Sequence, residues 1–266
     1  MKLAFIGGGT MAEAIIGGVL SKGIAGREDI SVGEYLEARC QVLHERYGVF
    51  STTDNFKAVE KGDMVVLSIK PQNLSEVMSQ LDGSLRPDQT VLSIIAGARM
   101  SAIVHGLGHD SVIRVMPNTP AQIGEGMSLW TCSPGVDEEV RQSARSILRT
   151  MGEEIYVSDE KYMDMATALS ASGPAYVFLF IESLIDAGVH LGLPRDMSRV
   201  LALQTVLGST RLVKETGRHP AELKDMVSSP GGTTVEALLA LEEGGFRATV
   251  INAVIEAYEK SIELGG

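Results

Sequence analysis

The chain has 266 residues, 44% of them hydrophobic and 21% charged, which is typical of a globular protein with room for two modest domains. Its formal net charge of -11 argues against a nucleic-acid partner and against anionic membranes, because both need a basic surface. The two cysteines form no CxxC pair and the five histidines have no HExxH spacing, so we expect neither a disulfide framework nor a metal.

The chain opens directly on MKLAFIGGG, without the series of charged, apolar and small residues that marks a secretion signal. No apolar run reaches the roughly 20 residues that a membrane span needs. We therefore expect a cytoplasmic protein that does not bind membranes.

Short apolar runs alternate with helical patterns along residues 1–158. Strands are predicted at LAFIG, DISVGE, MVVLSIKP, TVLSIIAG, VIRVM, MSLWTC and EEIYV, with helical patterns between most of them. Strands that alternate with helices at this spacing predict a parallel, doubly wound sheet.

The first loop, FIGGGTMAEAI, matches the pattern G-x-G-x-x-A through Gly7, Gly9 and Ala12. Gly7 allows a tight turn, Gly9 lets the backbone approach a pyrophosphate, and Ala12 allows close packing of helix on strand. The free N–H groups of the helix that follows favour a phosphate. The motif lies between a predicted strand and a predicted helix, and it therefore indicates a dinucleotide site.

An acid, Glu34, ends the second predicted strand in SVGEYLEAR. An acid at this distance from the glycines binds a ribose 2′-hydroxyl and repels a 2′-phosphate, which favours NADH. Arg39 is the nearest cation that could accept a 2′-phosphate, but it lies inside the next predicted helix. The alternative is that Glu34 is simply a solvated loop acid.

Three later strand ends carry polar or unusual residues, at Lys70-Pro71-Gln72, Ala96-Gly97 and the MPNTPA loop. Ligands bind beyond the carboxyl ends of the strands in an open parallel sheet, so we expect these loops near the cofactor. Asn118, in the MPNTPA loop, either donates to the nicotinamide amide or holds the turn.

From residue 159 onward the patterns are helical, and we place the second, all-helical domain at residues 159–266. Pro174 interrupts the first of these helices, because proline lacks an N–H group and clashes with the preceding turn. The segment AYVFLFIESLI is apolar on nearly every side, so it must be buried on more than one face. Contact with another subunit is the expected source of that burial.

The stretch SSPGGTTVEALLALEEGG places a bare turn before a helical pattern. Thr233 followed by Glu236 predicts a capping box and a helix that begins near Thr234. Gly231 and Gly232 would let a ligand reach the backbone N–H groups, so the turn is a candidate carboxylate site. A plain helix cap after a Pro-Gly turn is the alternative.

Together, VIRVMPNTPA, ALSASGPAYVF, GLPR, the HP at 219–220 and SSPGGTTVEALLALEEGGFR resemble pyrroline-5-carboxylate reductase along the whole chain. The resemblance implies an N-terminal Rossmann-type domain followed by an all-α dimerisation domain. It implies reduction of 1-pyrroline-5-carboxylate to L-proline with NADPH or NADH, in a homodimer that some members assemble into decamers.

The resemblance also assigns roles to individual residues. Ser170 matches the hydroxyl residue near the substrate, and the substrate-carboxylate loop is matched by Ser229, Gly231, Gly232, Thr233 and Thr234. The cofactor would be held by Gly7, Gly8, Gly9, Thr10, Met11, Glu34, Asn55, Lys70, Pro71, Ala96 and Asn118. The family commonly has glycine at Ala171, and many members have a small polar residue or an arginine near Glu34.

Two other functions fit parts of the pattern. A β-hydroxyacid dehydrogenase shares the two-domain plan but uses a lysine on the interdomain helix, and this chain has no lysine between Lys161 and Lys214. A non-catalytic dinucleotide sensor would need the first glycine loop but not the SPGGTT turn.

Overall fold

The structure is a computed structural model that describes residues 1–265, and its contacts group the chain into two compact units. The sheet unit consists of residues 1–172 together with the chain from Ala257 onward, and the helical unit is Gly173–Glu256. The domain boundary near residue 158 stays a prediction.

The sheet unit is built on one eight-stranded sheet with the order β3-β2-β1-β4-β5-β6-β7-β8. Its strands are β1 Leu3–Ile6, β2 Ile30–Gly33, β3 Phe50–Thr52, β4 Met64–Leu67, β5 Thr90–Ser93, β6 Val112–Met116, β7 Gly126–Cys132 and β8 Gly152–Tyr156. All neighbouring pairs are parallel except β6 and β7. The predicted doubly wound sheet is therefore confirmed, and it is mostly rather than wholly parallel.

Two strands depart from the prediction, each for a local reason. Only residues 117–125 join β6 to β7, which is too short for the crossover that a parallel pair needs, so β7 returns antiparallel. Strand β3 was not predicted. It is a three-residue edge strand whose side chains are only partly buried, so it lacks an apolar pattern.

Helices pack on both faces of the sheet, which explains the continuous apolar strands. The helices are α1 Thr10–Ser21, α2 Glu37–Tyr47, α3 Asn55–Val59, α4 Leu74–Leu81, α5 Met100–Leu107, α6 Glu138–Leu148 and α7 Tyr162–Ala166. Alternate residues of β1 enter opposite cores: Leu3 and Phe5 pack with α1 and α6, while Ala4 and Ile6 pack with α4 and α5. Burial on both faces fixes the strands and therefore the loops at their ends.

The helical unit confirms the change in pattern after residue 159, since the chain from there to residue 265 contains no strand. Its helices are α8 Gly173–His190, α9 Arg195–Thr216, α10 Pro220–Met226 and α11 Thr233–Glu243, followed by α12 Phe246–Gly265, which ends within the sheet unit. Helix α8 has no fully buried residue, and Phe178 and Leu179 are more than half exposed.

The apolar segment that includes α8 is longer than the sequence analysis predicted. The continuous helical stretch Tyr162–His190 has 29 residues, and its best 18-residue window has a mean hydropathy of 1.5. It is therefore long and apolar enough to cross a membrane by composition, contrary to the sequence prediction. Only 6% of that window is buried within the chain, so an apolar surface remains for another molecule to cover.

The segment that leads into α7 is tied to the sheet by Glu160. Its carboxylate accepts from Arg114 Nη1 on β6 at 2.6 Å and from the Met100 N–H at the start of α5 at 2.8 Å. The Arg114 side chain is 4% exposed, so the ion pair with Glu160 neutralises a buried charge.

We expect Glu160→Ala to lower the midpoint of thermal unfolding, because it leaves the Arg114 guanidinium buried and unpaired. The loss should be roughly 1–3 kcal/mol, which corresponds to several degrees in a chain of this size. Glu139→Ala, an exposed acid on α6, is the matched control and should change the midpoint little. Equal midpoints for both variants at one protein concentration would contradict this role.

Candidate active site

The carboxyl ends of the central strands lie level with one another. Ile6 at the end of β1 pairs with Gly33 of β2 and Leu67 of β4, and Leu67 pairs with Ser93 of β5. The loops after these strands therefore leave the sheet side by side. This is the edge at which parallel sheets bind ligands.

The first glycine loop has the geometry that its sequence predicts. Gly7 has φ +97°, and a Cβ there would lie 2.8 Å from the Ser68 carbonyl oxygen, so only glycine fits. Gly9 is the N-cap of α1 and offers no side chain to the helix, and a Cβ at Gly9 would meet nothing within 4 Å. The first N–H groups of α1 have no intrahelical partner, and this bare cap leaves room for a phosphate to reach them.

Glu34 reaches back to the glycine loop. Its carboxylate accepts from the Gly8 N–H at 2.8 Å and from the Leu36 N–H at 3.2 Å. Glu34 is 7% exposed, so it is a fixed part of the loop rather than a solvated side chain.

Arg39, the cation that the sequence places nearest to this acid, is already bound to other groups. Its Nε donates to the Gly8 carbonyl oxygen at 2.8 Å, and its guanidinium forms an ion pair with Glu13 on α1. Glu13 also accepts from Arg46 at 2.8 Å and from the Tyr47 hydroxyl at 2.9 Å. Burial tends to raise the pKa of Glu13, but the hydrogen bonds from Arg39 and Tyr47 and the charges of Arg39 and Arg46 outweigh it, so the pKa lies below its usual value.

The remaining cofactor candidates lie on the same edge. Thr10 and Met11 are the first residues of α1. Asn55 begins α3, and its Oδ1 occupies the space that a Cβ at Gly33 would fill. Lys70, Pro71 and Ala96 are exposed in the loops after β4 and β5.

Asn118 and Ser170, which are 52 residues apart, are in contact in the sheet unit. The Asn118 Nδ2 donates to the Ser170 carbonyl oxygen at 3.2 Å and lies 3.4 Å from the Ser170 Oγ. Its Oδ1 accepts from the Met127 N–H at 2.8 Å. Ser170 lies in a π-helical turn, Thr167–Ala171, between α7 and α8.

The SPGGTT turn forms the N-terminus of α11 in the helical unit. The helix begins at Thr233 with Gly232 as its N-cap, and no side chain caps it. The predicted capping box between Thr233 and Glu236 is therefore wrong, because Thr233 is already the first helical residue. Gly231 has φ +66°, which favours glycine, and a Cβ at Gly232 would lie 3.0 Å from the Ser229 carbonyl oxygen, which is a tight contact.

The N-terminus of α11, from Gly231 to Thr234 (the α11 tip), has fewer free N–H donors than the sequence indicated. The Gly232 N–H is used within the turn, where it donates to the Ser229 carbonyl oxygen at 2.9 Å, and the Val235 N–H donates to the Gly232 oxygen at 3.1 Å. Thr233 and Thr234 occupy the first two helical positions, whose N–H groups have no intrahelical partner. Thr233 is exposed and Thr234 is half-buried, so a small anion can reach both.

Comparison with known proteins assigns the family. Residues 160–264 match the family model described as pyrroline-5-carboxylate reductase dimerisation, and residues 2–97 match the model described as NADP oxidoreductase coenzyme F420-dependent. A pyrroline-5-carboxylate reductase of Synechocystis is 44% identical over 266 residues, which covers 100% of this chain and 98% of the relative. The chain belongs to the pyrroline-5-carboxylate reductase family.

Solved structures of two family members have the same fold along the whole chain. A pyrroline-5-carboxylate reductase from Coxiella burnetii has a TM-score of 0.91 at 36% identity, and the match covers 100% of this chain and 98% of that one. A Plasmodium falciparum pyrroline carboxylate reductase, solved with NADP bound, has a TM-score of 0.91 at 34% identity with the same coverage.

Family membership confirms the central predictions from the sequence. The protein is an NAD(P)-dependent oxidoreductase of proline biosynthesis that reduces 1-pyrroline-5-carboxylate to L-proline. Its helical region matches a dimerisation domain, which supports self-association.

We expect Gly9→Ala to weaken dinucleotide binding by roughly tenfold or more without changing the thermal midpoint. Gly9 has φ −73°, and an added methyl group meets no protein atom, so only the approach of a phosphate would be obstructed. Gly17→Ala on the same helix, where the nearest atom would be 3.8 Å away, is the matched control. Equal NAD(P)H dissociation constants for both variants in a fluorescence titration would contradict the role of Gly9.

Proposed function

We propose that the substrate carboxylate binds the N-terminus of α11 while the dinucleotide pyrophosphate binds the glycine loop at the N-terminus of α1. The observation that carries this proposal is that Gly232, the N-cap of α11, offers no side chain to block the N–H groups of Thr233 and Thr234. Charge-assisted hydrogen bonds to a carboxylate contribute roughly 1.5–3 kcal/mol each. Two such bonds and the helix dipole can anchor a small acid without an arginine.

The residues of the sheet unit fit a dinucleotide. The bare cap at Gly9 accepts the pyrophosphate, and Gly7, Gly8, Thr10 and Met11 complete the loop. Asn55 lies near the adenosine end, and Lys70, Pro71, Ala96 and Asn118 follow the neighbouring strands. The bound cofactor supplies a hydride to the imine carbon, and the chain supplies proximity and alignment.

We propose that the Ser170 hydroxyl lies beside the substrate nitrogen during the reaction. Hydride addition leaves an amine nitrogen, which must carry a proton before or after the transfer. A serine with an ordinary pKa is a poor acid, so Ser170 orients the substrate nitrogen or a water beside it. If the imine binds already protonated, no general acid is required.

We further propose that NADH is preferred over NADPH. The buried Glu34 carboxylate is fixed on the glycine loop, where an acid accepts from a ribose 2′-hydroxyl and repels a 2′-phosphate. Arg39, the nearest cation, is paired with Glu13 and is not free to offset that repulsion.

The association of the protein follows from its exposed apolar helices. We propose a homodimer formed through the helical region, and such dimers could assemble further into a decamer. We also propose that the protein is cytoplasmic. The net charge of -11 and the small-molecule chemistry support neither a nucleic-acid nor a membrane partner.

The activity itself is tested by following NADH and NADPH oxidation with 1-pyrroline-5-carboxylate. We expect saturable oxidation that requires this substrate and is absent with 3-hydroxy acids and their oxidised forms. Oxidation that does not depend on the imine would contradict the proposed function.

The cofactor preference is tested with Glu34→Gln. Removal of the charge should raise the ratio of kcat/KM for NADPH to that for NADH by roughly tenfold, because the repulsion of the 2′-phosphate is lost. Glu37→Gln removes the same charge from an exposed position three residues away and should leave the ratio nearly unchanged. A wild-type enzyme that prefers NADPH, or a ratio unaffected by Glu34→Gln, would overturn the preference.

The carboxylate site is tested with Thr233→Pro. Proline is well tolerated at the first helical position, and the preceding Gly232, at ψ 163°, already has the conformation that proline demands. The variant should therefore fold, lose one N–H donor and raise the KM for 1-pyrroline-5-carboxylate roughly 10- to 100-fold. Thr233→Ala removes only the hydroxyl and serves as the control. Identical KM values for the two variants would place the carboxylate elsewhere.

A further inference from the structure

The π-helical turn around Ser170 coincides with a gap in the helical hydrogen bonds. In a regular helix the carbonyl oxygen of Ser170 would accept from the N–H of residue 174, but residue 174 is proline and has none. The chain widens here, and the Ser172 N–H donates to the Thr167 carbonyl oxygen at 2.9 Å, five residues back. The Ser170 carbonyl oxygen therefore lacks its regular α-helical donor and can accept from another segment of the chain.

Asn118 supplies that donor. Its Nδ2 donates to the Ser170 carbonyl oxygen at 3.2 Å and lies 3.4 Å from the Oγ of the same residue. The Met127 N–H, at 2.8 Å from Oδ1, fixes which side of the amide faces Ser170. One amide thus joins the loop after β6, the start of β7 and the π-helical turn.

The surroundings of Asn118 make this link rigid. Pro117 and Pro120 lock the backbone on both sides, Pro117 is buried, and Asn118 itself is half-buried. The Thr167 hydroxyl holds the other end of the turn by donating to the Met163 carbonyl oxygen at 2.8 Å. The Ser170 hydroxyl is therefore carried on a turn that is fixed from two sides.

We propose that Asn118 is a positioning residue for Ser170: it donates to the carbonyl oxygen whose regular α-helical donor is removed by Pro174, and it thereby sets the orientation of the hydroxyl. This inference rests on the role proposed for Ser170 in the reduction. It adds to the cofactor role proposed for Asn118, because the amide has a second N–H that the bond to the Ser170 carbonyl oxygen does not use.

A double-mutant cycle in kcat tests the proposal, with Asn118→Asp, Ser170→Ala and the two together. Aspartate keeps an oxygen for the Met127 N–H and loses the donor to Ser170. We expect each single variant to lower kcat roughly tenfold and the pair to lower it by little more than one of them. The KM for the dinucleotide should change less than about twofold in each.

A purely structural role gives a different result. A variant that only lowers the folded, active fraction loses the same factor of kcat in either background, so the two losses would multiply to roughly 100-fold. Thermal midpoints are measured for every variant, and Asn118→Ala replaces Asn118→Asp if the aspartate variant does not fold. Gln122→Ala, an exposed residue of the same loop, controls for general disturbance of the loop.

The outcomes separate this inference from the proposed function. Multiplying losses, or an unchanged kcat in Asn118→Asp, would overturn the positioning role alone. An unchanged kcat in Ser170→Ala would overturn both the role of Ser170 and the inference built on it. A wild-type protein without imine-dependent NAD(P)H oxidation would overturn the proposed function itself.

Discussion

Both proposed anion sites depend on one constraint: the N–H groups of a helix's first turn have no partner within the helix. In most proteins a side chain at the N-cap accepts from one of them. At α1 and α11 the cap is Gly9 and Gly232, respectively, and neither can do so. Both helices therefore keep unblocked donors and a positive dipole end, and each suits the anion assigned to it, a pyrophosphate for α1 and a carboxylate for α11.

The N-termini of α1 and α11 (the α1 and α11 tips) are held in place by different contacts. The α1 tip is held by the sheet, because β1 is buried on both faces and the Gly7 N–H donates to the Gly33 carbonyl oxygen at 2.8 Å. The α11 tip is held by its own turn, in which the Gly232 N–H donates to the Ser229 carbonyl oxygen. In the proposed assignment, the dinucleotide would meet a preformed loop at the sheet edge of one unit, and the small acid would meet an exposed turn in the other.

Much of this arrangement could be predicted from the sequence because its causes are local. The glycine loop, the helical second half and the bare turn at Gly231 and Gly232 each follow from the conformational freedom of glycine and the period of the apolar residues. The exact start of α11 could not be predicted. The Thr233 and Glu236 pattern fits a capping box with Thr233 as the N-cap, which would start the helix one residue later than it does. Strand β3 was not predicted because a three-residue edge strand is too short and too exposed to show an apolar pattern.

The contacts that position the site residues join distant parts of the chain, so local sequence patterns do not predict them. Asn118 lies 52 residues from Ser170, and Arg39 lies 26 residues from Glu13. Even so, a partial signal existed for the first of these, because Pro174, four residues after Ser170, predicts that the Ser170 carbonyl oxygen lacks its regular α-helical donor. For Arg39, only the folded chain shows that its guanidinium is already paired with Glu13.

The most direct test of the central claim is a crystal structure of the protein with the oxidised dinucleotide and L-proline bound together. The account predicts a proline carboxylate about 3 Å from the backbone nitrogens of Thr233 and Thr234, with the pyrophosphate over Gly9. A carboxylate bound to a side-chain cation, with the α11 tip empty, would contradict it.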